Sequence, residues 1–359
     1  MSVVWLFICA AVMAAGQSWF FRRLGMRRVR YSRTFSRPAA FAGERADMVE
    51  VLENRGRLPV PWLRAESRVP AQLRFGAASL SEINGQMYHQ SLFFLPPMSR
   101  ITRRHHVTLT ARGVYRAGSV ALSSGDLLGI SAAFEQLETG AQIVVYPRLV
   151  SDDEIPMPCS RFIGELLTRR FLHPDPCLFA GVRAYQPGDP AREVHWGASA
   201  RMDELMVKTF DYSAEPRLMI VFNVQLGERQ WGALNEEQMA VVERGLSLAA
   251  SLMMRVMDAG ASAGFCANTD TLTPGERAYL PPVTGQGRKA EALSFLARLT
   301  LKMRMNFYAY LKELQTDAGD ILVLSCADSR RIREQIDRLR SEGRNVAFYR
   351  MPGGWNDDE

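Results

Sequence analysis

The spacing of hydrophobic and polar positions changes several times along this chain, and each change marks a different kind of element. Residues 3–21 contain 19 positions without a charge, 16 of them apolar. At about 1.5 Å rise per residue such a run just crosses a hydrocarbon core of about 30 Å, which predicts a transmembrane helix. Trp5 and Trp19 fall near its two ends, where indole rings favour the membrane interface. Over 30–150 the pattern alternates with a period of two, as in Val49, Glu50, Val51 and in Val107, Thr108, Leu109, Thr110. Gly or Pro at positions 56, 59, 61, 70, 85, 96, 97 and 113 punctuates it. Short alternating strands between such breaks predict a β-sandwich.

Residues 151–180 read as a linker with one helical patch at 162–172, flanked by Pro156, Pro158, Pro174 and Pro176. Beyond 215 the pattern changes again. A continuous apolar run at 217–222 has the character of a strand covered on both faces of a parallel sheet. Residues 236–258 then place apolar side chains at 239, 242, 246, 249, 253 and 256, steps of three and four that make one helix face. Strands at 261–266, 321–325 and 346–349 alternate with helices at 288–301 and 329–341, which predicts an open doubly wound α/β sheet over 216–359.

Between these regions, residues 181–215 are dense in rigid, charged and aromatic residues. Pro187, Gly188, Asp189 and Pro190 predict a tight reversal, because Pro fixes φ and Gly supplies a positive φ; residues 205–210 follow as a strand. Arg183, Tyr185, Gly188, Asp189, Arg192, Val194, His195, Trp196, Ser199, Ala200 and Arg201, followed by Leu205, Val207 and Glu215, resemble the signature of the bacterial domain-of-unknown-function family number 58. Gly197 departs from it, since many relatives carry a basic residue there. The resemblance implies an amino-terminal membrane segment, a β-rich region and, after the signature, a domain similar to von Willebrand factor A. It also implies a MoxR-type AAA+ ATPase as partner and a transglutaminase-like membrane protein as a further one. No activity is established for the family.

A metal-binding von Willebrand A domain places Asp-x-Ser-x-Ser directly after its first strand, because a hard divalent cation needs a carboxylate and hydroxyls converging at the sheet edge. Here Asn223, Gln225 and Gly227 occupy those positions, so no metal is expected, and Asp270, Thr271 and Thr284 supply only fragments of a site. Asp189, His195 and Ser199 are the residue types of a hydrolytic triad, but no nucleophile elbow surrounds Ser199. His105 and His106 point to opposite faces of one strand and do not share an ion. His173 and Cys177 have a helical spacing that Pro174 and Pro176 forbid. Gly285, Gly287, Arg288 and Lys289 lack the spacing of a phosphate loop. For Arg183, Asp189, Arg192, Trp196 and Arg201 two readings stay open: a buried ion-pair network locking the turn to the α/β domain, or a partner surface, since Trp and Arg are enriched at binding hot spots.

Charge changes the picture only locally. The chain carries 44 basic and 38 acidic residues, a net of +6 with a pI near 9.2. Seven of the arginines lie within residues 22–37, where there is no acid; subtracting them leaves 37 basic against 38 acidic, or −1 for the rest. That distribution argues against nucleic-acid binding. It places the soluble body in the cytoplasm if residues 3–21 span the bilayer, with Arg22, Arg23, Arg27 and Arg28 on the inner side. Five Cys, an odd number with no close pairing, imply free thiols and a reducing compartment.

The reading is therefore an α+β multidomain protein: a transmembrane anchor and basic segment at 1–29, a β-sandwich at 30–150, a linker, the signature, and a von Willebrand A-like α/β sheet at 216–359. It predicts a membrane-anchored adaptor without enzymatic activity or cofactor. A hydrolase using Asp189, His195 and Ser199, and an extracellular adhesion module, are the alternatives.

Overall fold

The computed structural model describes residues 2–24, 28–76, 80–83, 86–125, 132–169, 179–210, 216–228, 230 and 232–353. They form two compact units, Met1–Arg148 and Leu149–Glu359.

The first unit begins with helix α1 (Ser2–Leu24), followed by strands β1 (Val29–Phe35), β2 (Ala39–Phe41), β3 (Arg45–Asn54), β4 (Val60–Arg68), β5 (Leu73–Phe75), β6 (Leu80–Ile83), β7 (Gln86–Leu95), β8 (Ser99–Leu109), β9 (Gly113–Gly125) and β10 (Ala132–Tyr146). They pair as one sheet of order β1-β3-β8-β5 and another of order β2-β10-β9-β4-β7-β6. The strand period of two shows in the burial: along β3 every second residue from Ala46 to Asn54 is buried, Glu50 among them, while Val49 and Val51 are half-buried, the reverse of what apolar and polar residue types predict there. Inward side chains of both sheets meet in two apolar clusters. One contains Met48, Phe75, Val107 and Ile143, the other Leu52, Leu63, Phe93 and Val120.

The membrane span expected over residues 3–21 is overturned. Among the described residues no helix is long and apolar enough to cross a membrane. α1 is helical over Ser2–Leu24, but the part whose side chains are described, residues 4–19, falls short of the roughly 20 apolar residues a span requires. Gln17 and Ser18 interrupt it, Ser18 is buried, and α1 touches β9, so part of this helix is engaged with protein. The arginines that follow lose the topological meaning the span gave them.

The second unit opens with α2 (Met157–Arg169) and the paired strands β11 (Phe179–Ala184) and β12 (Met206–Phe210), which flank the short helix α3 (Trp196–Met202). Then come β13 (Arg217–Phe222), α4 (Glu236–Asp258), β14 (Ser262–Thr271), β15 (Arg277–Val283), α5 (Gln286–Ala297), β16 (Leu299–Met303), α6 (Phe307–Glu313), β17 (Asp320–Ser325), α7 (Arg330–Ser341) and β18 (Asn345–Arg350). The sheet order is β15-β14-β13-β17-β18, parallel except for β15, with β16 pairing onto β14. Central β13 is buried from Leu218 to Phe222, as its unbroken apolar run requires. α4 starts at a capping box between Asn235 and Gln238, two reciprocal hydrogen bonds that satisfy backbone donors of the first turn.

β11, α3, α6, β15 and β16 escaped the sequence pattern, and the helical patch expected at 162–172 forms as α2. β15 carries Pro281 and Pro282 and forms the antiparallel edge of the sheet, where missing N–H donors are tolerated. β16 occupies the end of what reads as a helix running to 301. The supposed linker contains α2, which buries Cys159, Ile163 and Leu166 and packs against α4 and β18, making it part of the second unit.

Candidate functional site

The signature folds as a hairpin around its proline-glycine turn. Asp189 donates its backbone N–H to the carbonyl of Gln186 at 3.0 Å, with Pro187 second in the turn and Gly188 third at φ +111°. That order suits a type II turn, whose third position needs a positive φ. The Asp189 carboxylate accepts from Arg183 through both guanidinium nitrogens, at 2.7 and 2.6 Å, and from the Gln186 N–H at 2.8 Å. The Arg183 hydrogen bonds are the main cause holding the Asp189 carboxyl below its usual value, followed by the Gln186 amide. Tyr185 donates its N–H to the Leu205 carbonyl at 2.8 Å, tying the two strands together just above the turn.

Asp189, His195 and Ser199 do not assemble as a triad. His195 caps α3, its Nδ1 accepting from the Ala198 N–H at 3.0 Å. Ser199 donates its hydroxyl to the backbone carbonyl of His195 at 3.0 Å and accepts the Met206 N–H at 2.8 Å. Asp189 is engaged with Arg183. All three side chains thus brace local backbone.

A buried charge network is not what forms either. The Arg192 side chain is 85% exposed and lies 3.7 Å from Glu193; Trp196 is 70% exposed. Arg201 is exposed, and α3 has no buried residue. Met202 and Leu205, later in the same segment, are also exposed, while Val194 and Val207 pair as a buried seam. Gly197 sits on α3 with only the His195 ring near a would-be Cβ, at 3.5 Å. Glu215 lies outside the described residues.

At the degenerate metal position, amides bond to one another. Asn223 Oδ1 accepts from the Gln225 N–H at 2.9 Å and from Asn268 Nδ2 at 3.1 Å, and Asn223 Nδ2 donates to Ser325 Oγ at 2.9 Å. Asn268 Oδ1 accepts the Val224 N–H, and Gln225 Oε1 accepts the Phe307 N–H. These side chains are buried and join the carboxyl ends of β13, β14 and β17, the crevice where open α/β sheets bind ligands. The side-chain oxygens of Asn223 and Gln225 are engaged as acceptors, and Gly227 offers none.

The sequence did not reveal a polar cluster inside the first unit, between its sheets. Glu50 on β3 is fully buried and accepts from Arg33 at 2.6 Å, Tyr31 at 2.6 Å, Ser91 at 3.0 Å and His105 Nε2 at 2.8 Å. Arg33 also donates to Ser67 at 2.7 Å. Burial alone would raise the Glu50 pKa; the His105 hydrogen bond and the Arg33 charge outweigh it and hold the carboxyl well below its ordinary value. His89 Nε2 faces His105 Nδ1 at 3.3 Å, and burial lowers the His89 pKa to about 4. His106 points outward to Asp47 at 2.6 Å. The only signal available was a charged or imidazole residue at inward-facing strand positions, at Arg33, Glu50, His89 and His105 together.

Residues 181–323 match the family described as "Protein of unknown function DUF58". The match supports membership of that family and takes in the signature hairpin and most of the α/β sheet. The chain is 24% identical over 240 residues to "Uncharacterized protein YeaD" of Bacillus subtilis (strain 168), an alignment covering 67% of this chain and 56% of that protein. The chain thus spans little more than half the length of that relative. Among solved structures it is similar to the CARDB domain of a Pyrococcus furiosus protein in complex with di-metal ions, at 13% identity and TM-score 0.21, covering 33% of this chain and 93% of that one. A non-cellulosomal cohesin of Archaeoglobus fulgidus has 10% identity and TM-score 0.20, covering 35% and 94%. Such low TM-scores carry no argument.

Proposed function

We propose, taking membership of the DUF58 family as the premise, that this protein is a non-enzymatic adaptor whose signature hairpin docks a cytoplasmic partner. The observation that carries the proposal is the exposure, within one hairpin, of Arg192 before α3, Trp196 and Met202 on α3 and Leu205 just before β12. An exposed indole with neighbouring apolar side chains and an arginine is the composition of a binding hot spot. The hydrogen bonds of Asp189, His195 and Ser199 hold that surface in shape, which suits a role in gripping.

The partner proposed is a MoxR-type AAA+ ATPase, as the family resemblance implies, with a transglutaminase-like membrane protein as a further member of the assembly. The α/β sheet is proposed to be von Willebrand A-like. Supporting this reading is its sequential strand order 3-2-1-4-5, with the third strand antiparallel and amides at the position of the metal motif.

The test is affinity capture of a purified MoxR-type ATPase by the full chain, in ADP and in a non-hydrolysable ATP analogue. The proposal expects nucleotide-dependent capture that falls at least about tenfold in Trp196→Ala or Arg192→Ala, the scale of a hot-spot residue. Absence of capture in both nucleotide states defeats it.

A further inference from the structure

Three facts about the polar cluster of the first unit resist explanation as a simple hydrogen-bonded plug. His89 Nδ1 is buried without a hydrogen-bond partner, its side chain fully enclosed, and lies 4.0 Å from Glu50 Oε1. His89 Nε2 and His105 Nδ1 face each other at 3.3 Å, long for a ring hydrogen bond. His105 Nε2 lies 2.8 Å from a Glu50 oxygen, the contact of an N–H donating to a carboxylate, which in a neutral ring puts the lone pair on His105 Nδ1.

The His89 proton then has two places. On Nε2 it bridges to His105 and leaves Nδ1 a buried acceptor with nothing to accept. On Nδ1 it points towards Glu50, and the Nε2 lone pair turns to meet that of His105. The second arrangement turns the N–H towards the carboxylate, at 4.0 Å still beyond hydrogen-bond reach, and sets two lone pairs face to face, which a cation between them, a proton or a metal ion, makes favourable. Two ligands at about 2.0–2.1 Å from a tetrahedral ion are about 3.3–3.4 Å apart, the spacing seen here.

We infer that His89 Nε2 and His105 Nδ1 form a binding site for a first-row transition-metal ion of the zinc class, with Glu50 facing the other nitrogen of each ring, 2.8 Å from His105 Nε2 and 4.0 Å from His89 Nδ1. A carboxylate behind a ligating histidine fixes its tautomer and raises its basicity, and Glu50 is itself held by Arg33, Tyr31 and Ser91. Glu50, His89 and His105 offer ligand atoms within 4.8 Å of one another. Arg33 already matches the Glu50 charge. Charge balance then requires hydroxide or another anion in the ion's open positions. Because His89 lies on β7 of one sheet and His105 on β8 of the other, the ion pins the sandwich across its core.

The experiment is zinc titration of the untagged, chelator-treated full chain by calorimetry, with thermal melts alongside. One ion per chain and a rise in melting temperature are expected. His89→Gln and His105→Gln should each weaken binding at least about tenfold, and Glu50→Gln about 10- to 100-fold, while His106→Ala leaves it unchanged. Circular dichroism shows whether each variant folds. If the cluster variants do not, cobalt added to the wild-type chain decides: tetrahedral visible bands support the site. Absence of stoichiometric binding by the wild type, or binding indifferent to His89→Gln in a folded variant, overturns it, and neither result bears on the adaptor surface of the second unit.

Discussion

Asn268 donates its Nδ2–H to Asn223 Oδ1 at 3.1 Å, across the carboxyl ends of the neighbouring strands β14 and β13. Two amides thereby close a crevice that a carboxylate and hydroxyls would open to a cation. Asn223→Asp is isosteric but replaces the donor to Ser325 with a buried negative charge. It should cost about 1–3 kcal/mol, the cost of an unsatisfied buried polar group. Urea unfolding measures the loss, and magnesium should not restore it; a magnesium-dependent rise in melting temperature in this variant would show that the amides merely mask a working site.

Two helical glycines should respond in opposite directions to the same change. A Cβ on Gly245 of α4 would lie 2.7 Å from Met351 Sδ and 2.8 Å from the Phe222 ring, whereas on Gly197 of α3 it meets nothing closer than 3.5 Å. Gly245→Ala should destabilise by about 1–3 kcal/mol through overpacking. Gly197→Ala should stabilise by up to about 1 kcal/mol through helix propensity, and Gly197→Arg should fold normally. Denaturation midpoints check all three.

The paired Arg183 and Asp189 hold a turn at the surface, and their exposure limits what they add to global stability. Arg183→Ala should leave the melting temperature of the chain nearly unchanged while speeding hydrogen exchange of the Tyr185 amide, whose acceptor is the Leu205 carbonyl. Unaltered exchange there would mean the turn is set by Pro187 and Gly188 alone.

Thiol chemistry should separate the cysteines. Cys9 is exposed; Cys159, Cys266 and Cys326 are buried. Burial pushes the Cys159 and Cys266 pKa values up to about 12 and that of Cys326 up to about 11. Cys9 should react with a disulfide reagent at pH 8 in the native state, and the other three only after unfolding. Because the folded pKa values are raised, the stabilising contribution is complete below about pH 9 and declines as pH rises from there towards 11 or 12. Chemical denaturation at pH 8 and pH 10.5 measures the decline. Native-state reaction of Cys159 would refute its burial; Cys177 lies outside the described residues.

Local patterns that report their own surroundings were legible. The apolar stripe of α4 and the unbroken run of β13 each specify what must cover them, whereas in β3 Glu50 and Asn54 turn inward and Val49 and Val51 are half-buried, the reverse of what the residue types there suggest. Pro187 and Gly188 announced a turn because φ is a property of the residue itself. The extent of α1's apolar face was misread, since counting uncharged residues does not reveal that Ser18 is buried and that the helix touches β9. β15 and β16 were missed because edge strands are defined by a neighbour, and both runs are short, β15 broken by Pro281 and Pro282 and β16 continuous with the helical pattern before it.

By itself the sequence determined the alternation of strand and helix after residue 215, the turn at Gly188 and the amide substitutions at Asn223 and Gln225, all consequences of backbone preference or side-chain chemistry at single positions. Only the tertiary structure decided that Trp196 faces solvent, that Asp189, His195 and Ser199 serve three separate backbones, and that Arg33, Glu50, His89 and His105 meet between two sheets. Those four residues come from four different strands, and sequence spacing does not encode the distance between side chains that meet only when the sheets pack.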